Sequence, residues 1–406
     1  MKQEILQRAL ERIELLATVS DAPEGLVRTF LSPANREAAE LVMEWMEGLG
    51  MEVCHDVGGT VRGILGGSAD AKPLLLGSHL DTVIDAGKYD GALGVIGALA
   101  ALEVLRDENV VLPFPVHVLG FSDEEGVRFQ STYLGSRGVI GELESWQLEQ
   151  RDMDGLSLSE VLENEGWLDD AETIFYDESS SDGYVELHIE QGRVLEDADE
   201  AACIVSGICG QVRLRVVMAG QADHAGTTPM DLRRDALTGA AECVLALETM
   251  AREHSPLVGT VGQIQVHPGA SNAIPQVAEF TVDLRHPDDE ALEHHLGELR
   301  NAFDAIANRR DLDFGWEIVQ QNGAVDCDPD LTKILLASLE SVTGAHGMLP
   351  SGAGHDGVIL STVMPIGMIF VRCQGGLSHH PDEYAEPDDI AAGIDILVEF
   401  LKRWKP

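Results

Sequence analysis

Positive charge is what this chain has least of. Its 406 residues include six lysines, and Lys plus Arg total 27 against 70 Asp plus Glu, a formal net charge of −43. Binding to nucleic acid or to an anionic membrane needs clustered Lys and Arg, so both partners are excluded. The acidic excess reads as a solvated surface, of the kind that stays soluble where salt screens its self-repulsion. An anionic substrate would need a local positive charge. Cysteine is sparse as well: six residues, at 54, 203, 209, 243, 327 and 373, with no CxxC pair. No disulfide framework or cysteine zinc site is expected, and a reducing cytoplasm is the expected location. No apolar run reaches the roughly 18 residues of a membrane span. The start, Met1-Lys2-Gln3-Glu4, lacks a signal-peptide pattern. The glycines from Gly91 to Gly97 lack both GxGxxG spacing and a P-loop lysine, which excludes a nucleotide loop. There is no internal repeat or low-complexity segment.

The length and the 44% hydrophobic content suit two domains, each with its own core. Ala38, Leu41, Val42, Trp45, Met46 and Leu49 share a helical face between Ser32-Pro33 and Gly50. Apolar runs at 73–77, 115–121, 184–187 and 366–371 read as buried strands. The segments 92–106, 330–343 and the stretch from about 388 read as helices. That alternation predicts an α/β domain whose mostly parallel mixed sheet is covered by helices, formed by residues 1–210 and 325–406. Near residue 210 the pattern changes to polar–apolar alternation. Strands at 211–217, 258–267, 276–285 and 313–320, with helices at 233–252 and 288–309, predict an inserted α+β sandwich over 211–324. Edge strands there would be an association surface.

Histidines and carboxylates gather where these strands end. They are His79 and Asp81 in Gly77–Val83, Asp90 in Lys88–Gly91, Glu124 and Glu125 after 115–121, His188 after 184–187, and His379 and His380 in Leu377–Pro381. Ligands bind at the carboxyl ends of strands in such sheets. Imidazole plus carboxylate suits divalent ions, and a shared carboxylate can hold two of them. His79, Asp90, Glu125, His188 and His379 form such a set. Asp81, two residues from His79, is placed to orient its ring. Glu124 beside Glu125 is placed to act as general base. Spacing alone does not separate His379 from His380.

Nine motifs occur in order: GSHLDTV at 77–83, KYDG at 88–91, DEEGVRF at 123–129, HIEQG at 188–192, DHAGTTPM at 223–230, NAIP at 272–275, DLR at 283–285, SGAGHDG at 351–357 and GGLSHHPDEY at 375–384. With them the whole chain resembles the aminoacylase-like dinuclear metallohydrolases. The specific branch is that of N-carbamoyl-L-amino-acid hydrolases, allantoate amidohydrolases and β-ureidopropionases. The resemblance implies two divalent ions per subunit (Zn, or Mn, Co or Ni). One would lie on His79, Asp90 and His188, the other on Asp90, Glu125 and His379, with Asp90 bridging and Glu124 as base. It implies a homodimer paired through the inserted domain, with His224 of one subunit stabilising the oxyanion in the other. Asn272 and Arg285 match the residues that hold a substrate carboxylate, and Gln191, Gly354 and His355 lie in substrate-contacting motifs. The implied reaction is hydrolysis of a ureido C–N bond in a small carboxylate, releasing ammonia and carbon dioxide. The reading leans to allantoate over an N-carbamoyl-L-amino acid. An aminoacylase or dipeptidase is the alternative, and His188 argues against it, since many peptidase relatives carry aspartate there.

Plainer roles stand beside these. Arg285 could be a structural ion pair, Asn272 a turn residue and His224 a surface histidine. His117, inside an apolar strand, reads as a satisfied core residue. His294 and His295 read as solvated on an exposed helix. Gly352 and Gly354 read as positions that need backbone room.

Overall fold

Strands Leu74–His79, Gly183–Ile189 and Ile366–Val371 are buried at every position. A strand with no exposed side must be covered on both faces, which is why its sequence runs apolar rather than alternating. The computed structural model describes residues 1–67, 71–164 and 175–405. They fall into two compact units: Met1–Ser206 with Cys327–Leu349 and Gly354–Pro406, and Gly207–Asp326 with Pro350–Ala353.

The first unit is built on a mixed sheet. Four strands run parallel in the spatial order Val116–Phe121, Leu74–His79, Gly183–Ile189, Ile366–Val371. Antiparallel strands flank them: Val61–Leu65 and then Glu52–His55 on one side, Ala202–Ile208 on the other. These flanking strands were not expected. Glu52–His55 and Val61–Leu65 are too short to set a period, and pairing across the turn between them makes them strands. Helices Gln3–Thr18, Pro33–Gly48, Ala92–Asp107, Pro329–Thr343 and Pro387–Arg403 contribute to its main core. Helix Pro33–Gly48 starts where Ser32 accepts a hydrogen bond from Asn35 N–H, with proline at the first turn. Helix Ala92–Asp107 is apolar nearly all round and is buried from Ala92 to Leu105. His117 is half-buried, with Nδ1 hydrogen-bonded to the Tyr176 hydroxyl, and burial lowers its pKa to about 4.

The second unit is an antiparallel sheet in the order Asp313–Asn322, Gly210–Ala219, Val277–His286, Val258–Thr260, with Ile264–His267 also on Val277–His286. The single strand expected at 258–267 is two. At the break, Thr281 Oγ1 accepts from Gln263 N–H while Gln263 O accepts from Thr281 N–H. Val277–His286 alternates buried and half-buried residues, so the sheet has one core face. Helices Ala236–Glu253 and Asp289–Arg309 share that core through Cys243, Leu247, Leu299 and Phe303. His294 is exposed as expected, but His295 is not solvated: one residue further round the helix it is buried at 8% exposure. Among the described residues no helix is long and apolar enough to cross a membrane.

Candidate metal centre

Parallel strands end on the same edge, so their following loops meet there. His79 closes Leu74–His79, in register with Phe121, and His188 lies opposite Phe370. Asp90 comes from the turn before helix Ala92–Asp107. Glu124 and Glu125 follow Val116–Phe121, and His379 follows Ile366–Val371 by eight residues.

The protonation of two rings is set by the backbone. His188 Nδ1 is 2.9 Å from the Ile189 carbonyl, so Nδ1–H donates there and Nε2 carries a lone pair. Gly91 N–H donates to that same Nε2 at 3.3 Å. His79 Nδ1 is 3.0 Å from the Asp81 carbonyl, so Nδ1–H donates there and Nε2 is the nitrogen turned toward the site. Both Nε2 atoms face Asp90 Oδ1, at 3.1 Å from His188 and 3.5 Å from His79. Asp90 Oδ1 is buried and has no hydrogen-bond partner. Two imidazole nitrogens and a carboxylate oxygen that converge in this way need positive charge among them, supplied by protons or by a metal ion. This donor set fits a divalent ion.

A second group forms on the other oxygen. His379 Nε2 is 3.1 Å from Asp90 Oδ2 and 3.2 Å from Glu125 Oε1. Those two carboxylates raise the His379 pKa to about 10, against burial. A field that holds a proton so firmly also attracts a metal cation. Asp90 belongs to both groups, and burial that would raise its pKa is overcome by His188, His379 and His79, which bring it well below the usual range. Burial likewise opposes protonation of His79, but Asp81 and Asp90 raise its pKa well above the usual value.

Asp81 has two tasks. Its Oδ1 is 3.4 Å from His79 Nδ1, and its two oxygens accept from Glu124 N–H at 2.9 Å and Glu125 N–H at 3.1 Å. One carboxylate therefore orients an imidazole and pins the adjacent glutamates. Glu124 is buried, and burial together with Glu125 raises its pKa well above the usual glutamate value. Glu124, Glu125 and His79 can bring donor atoms to one point.

Gln191, in the left-handed region at φ 58°, donates from Nε2 to Asp90 Oδ2 at 3.1 Å. His355 is buried with its ring 4.6 Å from that of His188, and burial and then His188 bring its pKa well below the usual value. Gly354 has a spatial reason to be glycine, since a Cβ there would stand 1.9 Å from the Tyr133 hydroxyl. Gly352 has none: no atom lies within 4 Å of its would-be Cβ. His380 is exposed and faces Asp382, away from the groups around Asp90.

Arg285, His224 and Asn272 belong to the second unit. Arg285 grips Asp283 with two parallel bonds of 2.8 and 2.9 Å and donates from Nη1 to Gly352 O at 2.6 Å. His224 is exposed, with Nδ1 accepting from Gly226 N–H. Asn272 is exposed, and its carbonyl accepts from Ala225 N–H.

Sequence reasoning missed Glu383 and Ser378. Glu383 is buried and accepts from the Tyr89 and Asp90 backbone N–H groups at 2.8 and 3.1 Å. Ser378 Oγ is 3.1 Å from Asp90 Oδ2 and 3.0 Å from Glu383 Oε2. Their only signal was membership of the motif that contains His379.

Residues 75–403 match peptidase family M20/M25/M40. An allantoate deiminase of Arabidopsis thaliana is 42% identical, over 99% of this chain and 83% of its own length. An N-carbamoyl-L-amino acid amidohydrolase of Geobacillus stearothermophilus is 38% identical, over 96% of each. Among solved structures, an amidase of the hydantoinase/carbamoylase family from Burkholderia multivorans superposes with a TM-score of 0.92 at 33% identity, over 98% of this chain and 97% of that one.

Proposed function

The chain belongs to peptidase family M20/M25/M40, whose enzymes are metal-dependent, and from that premise we propose that it is an amidohydrolase that cleaves the ureido group of a small carboxylate. The observation that carries the proposal is Asp90 Oδ1, buried and without a hydrogen-bond partner between two imidazole Nε2 atoms, with Glu124 close to His79. Two divalent ions per subunit (Zn, Mn, Co or Ni) would be held by His79, Asp90 and His188 and by Asp90, Glu125 and His379. Such ions, when bound, polarise a carbonyl and make water a nucleophile near neutral pH. Asp90 is kept in place by Glu383 through its backbone N–H and by Gln191 and Ser378 through Oδ2.

Glu124 is assigned the proton. Its raised pKa suits a group that takes a proton from water and delivers it to the leaving nitrogen. The balance is R–NH–CO–NH2 plus water giving R–NH2, carbon dioxide and ammonia. Arg285, with Asn272, is assigned the substrate carboxylate. Guanidinium suits the task because it binds carboxylate bidentately, and an incoming carboxylate would share or displace Asp283. His224 is assigned the oxyanion, and Gly354 and His355 substrate contacts. We place the protein in a reducing cytoplasm, supported by six cysteines that form no disulfide, and as a homodimer paired through the inserted unit.

Allantoate is preferred over N-carbamoyl-L-amino acids, and the Arabidopsis relative supports that preference. Ammonia release would be measured for allantoate, N-carbamoyl-methionine, N-carbamoyl-β-alanine and N-acetyl-methionine, each with Mn or Zn. Turnover of allantoate above both carbamoyl substrates is expected. Turnover confined to N-acetyl-methionine, read as acetate release, would make the protein an aminoacylase instead.

A further inference from the structure

Among the described residues, a place away from the candidate metal centre also gathers metal-type donors on two separate elements. His295 and Glu298 stand three residues apart on helix Asp289–Arg309, on one face. His254 caps the C-terminus of helix Ala236–Glu253, its N–H bonded to Met250 O. The His254 and His295 rings are 4.7 Å apart. One donor atom from each of His254, His295 and Glu298 lies within 4.8 Å of the others.

We propose that these three residues form an additional metal site in the inserted unit, binding one ion of the imidazole-preferring class that includes zinc, nickel and copper(II). Two nitrogens and a carboxylate oxygen suit that class better than magnesium or calcium, which prefer oxygen shells. His295 Nδ1 and Glu298 Oε2 are 3.2 Å apart. Two donors at that separation, each about 2.1 Å from an ion, subtend roughly 100° there, near the tetrahedral angle. His254 is exposed, so its side chain can turn to complete the set.

The surroundings favour a cation. A helix C-terminus carries partial negative charge, and His254 sits on one. Glu253 and Glu298 line the groove of about 540 Å³ that His254 shares, which gives an ion a route from solvent; Glu242 and Arg309 line it too, paired with each other. The arrangement also differs from an ordinary surface pair. An exposed His–Glu contact at i, i+3 contributes little, but His295 is buried and its ring is packed among those of His254, His286 and His294. The ion would tie the end of one helix to the middle of the other. It would stabilise the inserted unit and take no part in the reaction.

The test uses the full chain, with zinc as the probe. Wild type, His254→Ala, Glu298→Gln and Glu298→His would be stripped with chelator, equilibrated at one free zinc concentration, and compared by metal analysis and thermal unfolding. His254→Ala and Glu298→Gln are each expected to hold one zinc fewer per chain than wild type and to gain less thermal stability from zinc, with unchanged turnover. Glu298→His restores a donor and is expected to keep the ion. The readout is a difference of one ion, whatever the candidate catalytic centre holds, so failure here leaves the proposed function standing. Equal zinc content and equal thermal response in wild type, His254→Ala and Glu298→Gln would overturn the site. So would loss from all three variants alike, which would mark disturbed folding rather than lost ligation.

Discussion

Glu124 and Arg285 show how differently single residues can be tested. Glu124→Gln keeps the side chain's size and its backbone bond to Asp81 but removes the proton acceptor. Metal content and KM are expected to hold while kcat falls by roughly 10²–10⁴-fold, the usual contribution of such proton transfer. Ammonia release beside metal analysis checks this, and near-normal kcat would move the base elsewhere, with buried Asp123 the next candidate. Arg285 needs a different design because it already holds Asp283 and the Gly352 carbonyl. A point charge does not reproduce a two-pronged contact. Arg285→Lys should lower kcat/KM by roughly tenfold to hundredfold, the value of a charged hydrogen bond of about 1.5–3 kcal/mol. The loss should shrink for a substrate whose carboxylate is replaced by an amide. An equal loss with both substrates would leave Arg285 with only its structural pair.

The elements explain why the donors converge. Four parallel strands deliver their loops to one edge, and the apolar helix Ala92–Asp107 is packed tightly enough to fix Asp90 at its start. Gly91 is the joint between them. Its φ is +67°, and an added Cβ would stand 2.5 Å from the His79 ring. Gly91→Ala should therefore displace His79 as well as strain the turn, lowering stability by about 1–3 kcal/mol and reducing bound metal. Gly344→Ala supplies the control. Its φ of +77° carries the strain, but no atom lies within 4 Å. It should lower the unfolding temperature and leave metal content intact. Equal metal content in both variants would detach Gly91 from the site.

At the scale of the whole molecule, charge and assembly matter most. A net charge of −43 draws metal cations and opposes anionic substrates. Many of the arginines are already paired, among them Arg215 with Glu279 and Arg372 with Asp389, so the field is little relieved locally. The trans role assigned to His224 requires two subunits. Light scattering should report a dimer, and mixing inactive His224→Ala with inactive Glu124→Gln should restore part of the activity through mixed dimers. A fully active monomer would overturn both the dimer and the trans role.

How much of this was legible in the sequence follows from distance along the chain. His79, Glu124, Glu125 and His188 were legible because an apolar run ending in a metal-type residue is a local pattern, and the family because its motifs are local too. The strand at 258–267 broke in two because a Thr281 side chain, far along the chain, enters the pairing. His295 was misread because its burial depends on a neighbouring helix. Glu383 went unseen because its partners lie 294 and 293 residues away. The sequence by itself determined which chemical groups are available and which relatives share them, since both are carried by residue identity and short spacing. Only the tertiary structure decided which nitrogen of His79 and of His188 faces Asp90, that Asp81 serves three partners, and that Arg285 is already engaged. Those facts rest on hydrogen bonds whose geometry exists only once the chain has folded.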